Sequence, residues 1–176
     1  MTEYRYIALA LTALISGCGD ETTTATPNSE ASAPAKDTPP IALKQTGNAT
    51  GVDFTVTDVA TPNQIGPGGI GPKAEAGETF VVVSYTLKNT GGAQLPMMER
   101  PGLSLIDSKG QSFPADEMAT AMAGGMMDDP SGMVSDLSPN VLAKSKAAWK
   151  LDKAAFDRGT WRLIVASDPQ LTFALR

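Results

Sequence analysis

The chain is poor in the residue types that most often act as nucleophiles, bases or metal ligands. The chain of 176 residues contains no histidine, one cysteine and eight methionines. Without histidine it cannot form a Ser-His-Asp triad, a Cys-His pair or a histidine-ligated zinc site, and one cysteine cannot form an internal disulfide. A net charge of −5 gives no basic surface of the kind that binds phosphates, so we expect no nucleic-acid partner. Most hydrolytic, metal-dependent and nucleic-acid-binding classes are therefore excluded.

The most unusual local feature is a cluster of methionines. Seven of the eight lie between residues 97 and 133, which we call the methionine segment. They are Met97, Met98, Met118, Met122, Met126, Met127 and Met133. We predict a short helix over Ala115–Met127, interrupted at Gly124-Gly125. Because Met118, Met122 and Met126 recur at intervals of four, they would share one face of that helix.

Three interpretations of the methionine segment are open. The leading one is packing, in which a helical cap covers one end of the domain and flexible thioether side chains fill irregular gaps. The second is an adaptable apolar binding surface for a partner protein or peptide. The third is a Cu(I) site on Met118, Met122 and Met126, because thioethers select this soft ion. Since no histidine or cysteine lies beside them, such a site could hold only Cu(I), and weakly, so our main expectation is no bound metal and no cofactor.

The single cysteine follows an apolar N-terminal run. The run covers Ile7–Ile15, which is shorter than the roughly 20 residues that cross a bilayer and typical of the apolar core of a secretory signal. A stray cysteine behind a plain signal is one interpretation. However, Leu14-Ile15-Ser16-Gly17-Cys18 resembles the lipobox of bacterial lipoproteins. That resemblance implies cleavage before Cys18, attachment of diacylglycerol to its sulfur, and acylation, for example by palmitate, of the new amino group.

The lipobox resemblance also suggests a membrane and a domain organisation. In lipoproteins of bacteria with two membranes, Asp directly after the lipidated cysteine favours the inner membrane, and here that position is Gly19. We therefore expect the periplasmic face of the outer membrane. We predict a signal peptide over residues 1–17, a lipidated cysteine and disordered linker over 18–40, and a folded domain over 41–176. The linker prediction rests on Gly19–Pro40, which contains no Val, Ile, Leu, Met or aromatic residue to bury.

Beyond residue 40 the periodicity is that of β-strands. Val52–Thr57 alternates apolar and polar residues, and Gly77–Leu87 is rich in β-branched and aromatic residues. We place the centre of the core on the face shared by Val81, Val83, Tyr85 and Leu87. Further predicted elements are a hairpin at Leu103–Phe113, strands at Lys146–Leu151, Trp161–Val165 and Leu171–Leu175, and a helical turn at Asp152–Gly159. Six to eight strands without a βαβ rhythm predict an all-β, antiparallel sandwich.

Lysines mark one face of the predicted strand near residue 146. Lys144, Lys146 and Lys150 have the same strand parity. We interpret them as the outward face of an amphipathic strand. The alternative is that these three lysines, together with Lys153, contact anionic lipid headgroups.

The order of these motifs resembles the telokin-like immunoglobulin-fold domain, a family largely of unknown function on exported bacterial proteins. The matching motifs are Gly77–Val83, Lys88–Gly91, Leu103–Phe113, Trp149–Asp152 and Trp161–Leu175. The resemblance implies an immunoglobulin-like β-sandwich, and the methionine-rich insertion between Phe113 and Val134 departs from the family pattern. It carries over no catalytic residue.

These observations lead to one functional expectation with one alternative. We expect a lipid-anchored cell-envelope protein whose β-sandwich is not an enzyme and binds or scaffolds an unidentified ligand, with an envelope protein or peptide as candidate partner. The alternative is a periplasmic protein that handles Cu(I) through the cluster Met97–Met133.

Overall fold

The computed structural model describes residues 39–66, 70–125 and 135–176. The predicted signal peptide, Cys18 and the linker up to residue 38 lie outside the described residues, and so do Met126, Met127 and Met133. Within the described part, no helix is both long enough and apolar enough to cross a membrane.

In the part of the chain that the structure describes, eight strands form two four-stranded antiparallel sheets, which confirms the predicted antiparallel β-sandwich. The strands are β1 (Thr46–Ala49), β2 (Val52–Ala60), β3 (Glu78–Asn89), β4 (Leu103–Ile106), β5 (Ser112–Pro114), β6 (Leu142–Asp152), β7 (Arg162–Val165) and β8 (Leu171–Ala174). The first sheet has the order β1-β2-β3-β6 and the second β5-β4-β7-β8. Strand β6 begins at Leu142, four residues before its predicted start.

The core lies between the sheets and is centred where the alternation predicts. Val81, Val83 and Leu87 are buried, while Tyr85 is half-buried and stacks on buried Phe54 with ring centroids 4.7 Å apart. Trp149 is 1% exposed, and its indole N–H donates to the Phe113 carbonyl at 2.9 Å. A buried indole with a satisfied N–H explains why the largest side chain of β6 is tolerated at the centre of the core.

A second apolar cluster lies on the other face of the first sheet, which we call the outer face. Phe80, Val82 and Ala148 are buried there against Ile65 and against Ala119 of α1 (Glu117–Thr120). Both faces of β3 are therefore covered along this part. This double coverage explains why the strand contains an unbroken apolar run instead of strict alternation.

Residues at both ends of the helix attach it to β6. Asp116 caps α1 by accepting from the Ala119 N–H at 2.8 Å, and its own N–H donates to the Ala148 carbonyl at 2.9 Å. The Ala148 N–H donates to the Thr120 hydroxyl at 2.9 Å. The helical segment continues as a wider turn over Ala121–Gly125, where Gly124 has a left-handed φ of 117°. A helix over the methionine-rich insertion is thus confirmed in its described part, 117–125.

Buried Asn89 joins the end of β3 to two loops. Its side-chain N–H groups donate to the carbonyls of Ala93 at 2.8 Å and Leu137 at 2.7 Å. Its side-chain oxygen accepts from the Gly91 N–H at 2.9 Å. These bonds give a structural reason for an asparagine followed by a tight turn in the Lys-Asn-Thr-Gly motif.

The helical turn predicted at Asp152–Gly159 is wrong. Two consecutive turns occupy the region instead. Asp152 accepts from the Ala154 N–H at 2.8 Å, and Asp157 accepts from the Gly159 N–H at 2.8 Å. Aspartates that bond their own backbone two residues ahead favour such turns over a continuous helix.

Candidate binding site on the outer face

The open half of the outer face carries two cross-strand pairs of a hydroxyl and a lysine. In the β3–β6 register Ser84 lies opposite Lys146, and Thr86 lies opposite Lys144. Residues directly opposite in an antiparallel pair have Cβ atoms about 4.5–5.5 Å apart. The register therefore places two hydroxyl-bearing residues beside two lysines on this face of the sheet.

A bulge in the neighbouring strand adds a third hydroxyl. The β2–β3 register shifts between Val56 and Asp58, so that Thr57 is an extra residue in β2. Thr57 and Asp58 both border clefts on the outer face, although consecutive strand residues normally point to opposite faces. Bulges commonly redirect a side chain next to a functional site.

These groups line a cleft of about 450 Å³. Its described lining residues are Thr57, Ser84, Tyr85, Thr86, Gly124, Lys144, Ser145 and Lys146. A second cleft of about 300 Å³ adjoins it and shares Ser84 and Lys146, and is also bordered by Asp58 and Ala123. The helical segment 117–125 therefore borders both clefts, through Ala123 and Gly124. A volume of this order accommodates a small molecule or one residue of a polymer.

The cleft combines hydrogen-bond donors with positive charge. Ammonium groups donate only, whereas hydroxyls both donate and accept, so together they suit a ligand with an anionic group and neighbouring polar atoms. Lys144 is exposed and Lys146 is half-buried, so both lie where a ligand entering from solvent can reach them.

Tyr85 contributes an uncharged phenol below the cleft. Burial raises the pKa of Tyr85, while a hydrogen bond with Ser145 and the positive charge of Arg100 act in the opposite direction. Because the net direction is upward, the phenol stays protonated at neutral pH. It can stack on Phe54 and support the sheet, but it does not supply a negative charge to the site.

The described methionines are all exposed, so the interpretation as core packing is wrong for them. Met118 and Met122 are 70% and 38% exposed on the helical segment that borders the cleft. Met97 and Met98, 42% and 87% exposed, lie in a separate short helix at Met97–Glu99. The buried helix residue is Ala119. Spacing by four places methionines on one face of a helix, but it does not say whether that face meets the core or the solvent.

The Cu(I) hypothesis gains no support from the described residues. Met118 and Met122 share one segment, whereas Met97 and Met98 lie in another connection, between β3 and β4, and Met126 lies outside the described residues. In residues 39–66, 70–125 and 135–176, no group of three or more His, Cys, Asp or Glu side chains is placed to hold a metal ion.

The lysines lie on the outward face of β6, as parity predicts. Lys144 and Lys146 line the cleft, whereas Lys150 pairs with Glu78 at 2.8 Å. Sequence reasoning did not find Thr57, Ser84 or Thr86. The alternation in β3 could have placed Ser84 and Thr86 on the outward face, because they occupy its polar positions. Only the strand register shows that they lie opposite the lysines.

Comparison with known proteins agrees with the fold and leaves the function open. The chain is 32% identical over 117 residues to the uncharacterized protein YxkC of Bacillus subtilis, a match that covers 66% of this chain and 65% of YxkC. The chain therefore spans slightly less than two thirds of the length of YxkC. No family model matches the chain.

Solved structures show the same fold at low sequence identity. A conserved hypothetical protein from Bacillus anthracis superposes with a TM-score of 0.64 at 22% identity, covering 76% of this chain and 94% of its own. The yjhA protein from Bacillus subtilis superposes with a TM-score of 0.57 at 18% identity, and the match covers 77% of this chain and 99% of yjhA. An uncharacterized β-sandwich protein from Clostridium difficile superposes with a TM-score of 0.53 at 10% identity, and the match covers 80% of this chain and 97% of that protein. At such identities the likeness is to the fold alone.

Proposed function

We propose that this chain is a lipid-anchored cell-envelope protein whose immunoglobulin-like β-sandwich binds an anionic ligand and is not an enzyme. The observation that carries the binding role is the cleft of about 450 Å³ on the outer face, where Thr57, Ser84, Thr86, Lys144 and Lys146 converge. A concave site with a few convergent polar groups is the usual form of a ligand site. The telokin-like family remains part of this proposal, supported by the motif order and by the two antiparallel sheets.

The helical segment that borders the cleft also carries two exposed methionines. Met118 and Met122 stand on the helical segment whose Gly124 borders the cleft. Flexible thioether side chains adapt to apolar surfaces of different shape. We therefore expect the ligand to combine an anionic group, held by the lysines, with an apolar part against this rim, as an acidic envelope peptide or an acyl-bearing anion would.

Binding of simple anions tests the cleft. Inorganic phosphate and citrate are titrated into the ¹⁵N-labelled full-length protein, and the amide shifts are mapped by NMR. We expect the largest shifts along residues 84–86 and 144–146, reduced at least about fivefold in Lys144→Gln and in Lys146→Gln because each loses one charge-assisted contact. Lys153→Gln removes the same charge from an exposed turn outside the cleft and serves as the control. Shifts that are equally reduced in all three variants, or that map elsewhere, would rule out the cleft as the site.

The lipid anchor is tested separately. The proposal predicts that Cys18→Ala abolishes palmitate labelling and releases the protein from the membrane fraction, because two or three acyl chains hold a domain to a bilayer without a spanning helix. A variant that still sediments with membranes would refute the anchor and leave the cleft untouched. In a host with two membranes, Gly19→Asp is expected to move the protein from the outer to the inner membrane.

A further inference from the structure

The described methionines share an unusual environment. Met98 and Met118 are 87% and 70% exposed, and Met97 and Met122 are 42% and 38% exposed. Methionine is ordinarily among the residues most often buried. Yet among residues 39–66, 70–125 and 135–176 neither apolar cluster contains a methionine. The side chains that oxidants attack are therefore concentrated at the surface.

Few other groups of the described part compete for an oxidant. This part contains no cysteine and no histidine. Its two tryptophans, Trp149 and Trp161, are only 1% and 3% exposed. Thioethers react according to their access to solvent, as thiols do. We propose that the exposed methionines Met97, Met98, Met118 and Met122 are oxidation sites, which consume two-electron oxygen donors such as hydrogen peroxide.

The reaction needs no catalytic residue. A lone pair of the methionine sulfur attacks one oxygen of hydrogen peroxide, and the S–O bond forms as the O–O bond breaks. The proton on the transferred oxygen passes to the leaving hydroxide, so the products are methionine sulfoxide and water. Sulfur loses two electrons and the peroxide gains them. Each exposed methionine thus removes one equivalent of peroxide.

The fold is built to accept this change. Methionine sulfoxide disrupts proteins when the oxidised side chain lies in a core. Here the helical segment is held by buried Ala119 and by the bonds of Asp116 and Thr120 to Ala148, and none of these groups is oxidised by peroxide. The added oxygen of Met118 or Met122 would enter solvent. Oxidation would therefore alter the surface without loosening the sandwich, whether or not the cleft binds an anion.

The experiment is a peroxide time course on the full-length chain carrying Cys18→Ala, so that no thiol competes. Mass spectrometry of peptides follows the gain of about 16 Da at each methionine. We expect Met98 and Met118 to react first and Met97 and Met122 later, in the order of exposure. The control is Leu105→Met, a near-isosteric change at a position with 0% exposure, whose new thioether should react at least about tenfold more slowly than Met98.

Two further readouts decide the proposal. A variant with leucine at positions 97, 98, 118 and 122 should consume about four equivalents of peroxide fewer than its parent. The melting temperature of the oxidised parent should stay within about 2 °C of the untreated protein. Equal rates at Met98 and at the buried control would overturn the proposal. So would a fall in melting temperature on oxidation that is absent from the four-leucine variant.

Discussion

Asn89→Ala should destabilise the protein far more than the loss of one exposed polar side chain would. The substitution leaves the carbonyls of Ala93 and Leu137 and the N–H of Gly91 without their partner. The bond to Leu137 is buried and the other two are partly buried. Leaving a buried group unpaired costs about 1–3 kcal/mol, and each partly exposed bond contributes about 0.5–1.5 kcal/mol. We expect a loss of about 3 kcal/mol.

The assay is thermal and urea unfolding followed by circular dichroism. For a domain of this size 1 kcal/mol corresponds to about 3–5 °C, so the melting temperature of Asn89→Ala should fall by about 10 °C. Asn48→Ala is the matched control, because Asn48 is exposed and makes one side-chain bond, to Asp53 at 2.7 Å. That variant should stay within about 0.5 kcal/mol of the parent. If the two variants were equally stable, the role assigned to Asn89 would be refuted.

Asn89→Asp adds a pH dependence to the same test. A carboxylate at this position can still accept from Gly91, but it faces two carbonyl oxygens and is buried. Burial and these carbonyls should raise the pKa of the new carboxyl above its unfolded value. The free energy of unfolding of Asn89→Asp, relative to that of the parent, should then be highest below the pKa of the unfolded state. It should fall as pH rises through the pKa of the folded state. A difference from the parent that does not change with pH would contradict this reasoning.

Two further predictions concern packing and surface charge. Gly47→Ala should lower the free energy of unfolding by about 1–3 kcal/mol, because the new Cβ would lie 2.6 Å from Ile41 Cδ1. Gly92→Ala, whose new Cβ would have no atom within 4 Å, should be nearly neutral in the same unfolding assay. Equal losses of stability in the two variants would exclude overpacking as the cause. The hydrogen bond from Lys150 holds the pKa of Glu78 below its usual 4.5. The small stabilisation from Glu78 should therefore be present above that value and be lost as pH falls through the lowered pKa. Lys150→Gln or high salt should weaken this dependence in pH-resolved melting curves, and the hydrogen bond from the Glu75 N–H should preserve part of it.

Periodicity predicts those parts of the fold in which one face of a strand is buried and the other is open. Val52, Phe54 and Val56 alternate with polar residues and lie in the core as predicted. The apolar run in β3 resists this reasoning because Phe80 and Val82 are covered by a helix from a distant part of the chain. The helical turn predicted at Asp152–Gly159 fails for a different reason. Turns formed by the side chains of Asp152 and Asp157 compete with helix formation there.

The candidate site could be predicted only in part. Parity places Lys144 and Lys146 on an outward face without any knowledge of the partner strand. Their position opposite Ser84 and Thr86 depends on a register that no local pattern specifies. The contribution of Thr57 depends on a bulge, which is a property of the strand pair. Helical spacing grouped Met118 with Met122 correctly but could not tell solvent from core.

The attachment of the helix to β6 also bears on self-association. Strand β6 has a hydrogen-bonded strand neighbour on one side only, so its other side is a sheet edge. Unprotected edges of this length invite pairing with the edge of another molecule, which leads to aggregation. Here the backbone of Ala148 is already bonded to Asp116 and Thr120, and the strand also carries Lys144, Lys146 and Lys150. The helical segment thus helps to keep neighbouring copies apart, an effect that would matter most if the proposed lipid anchor concentrates the protein on a membrane surface.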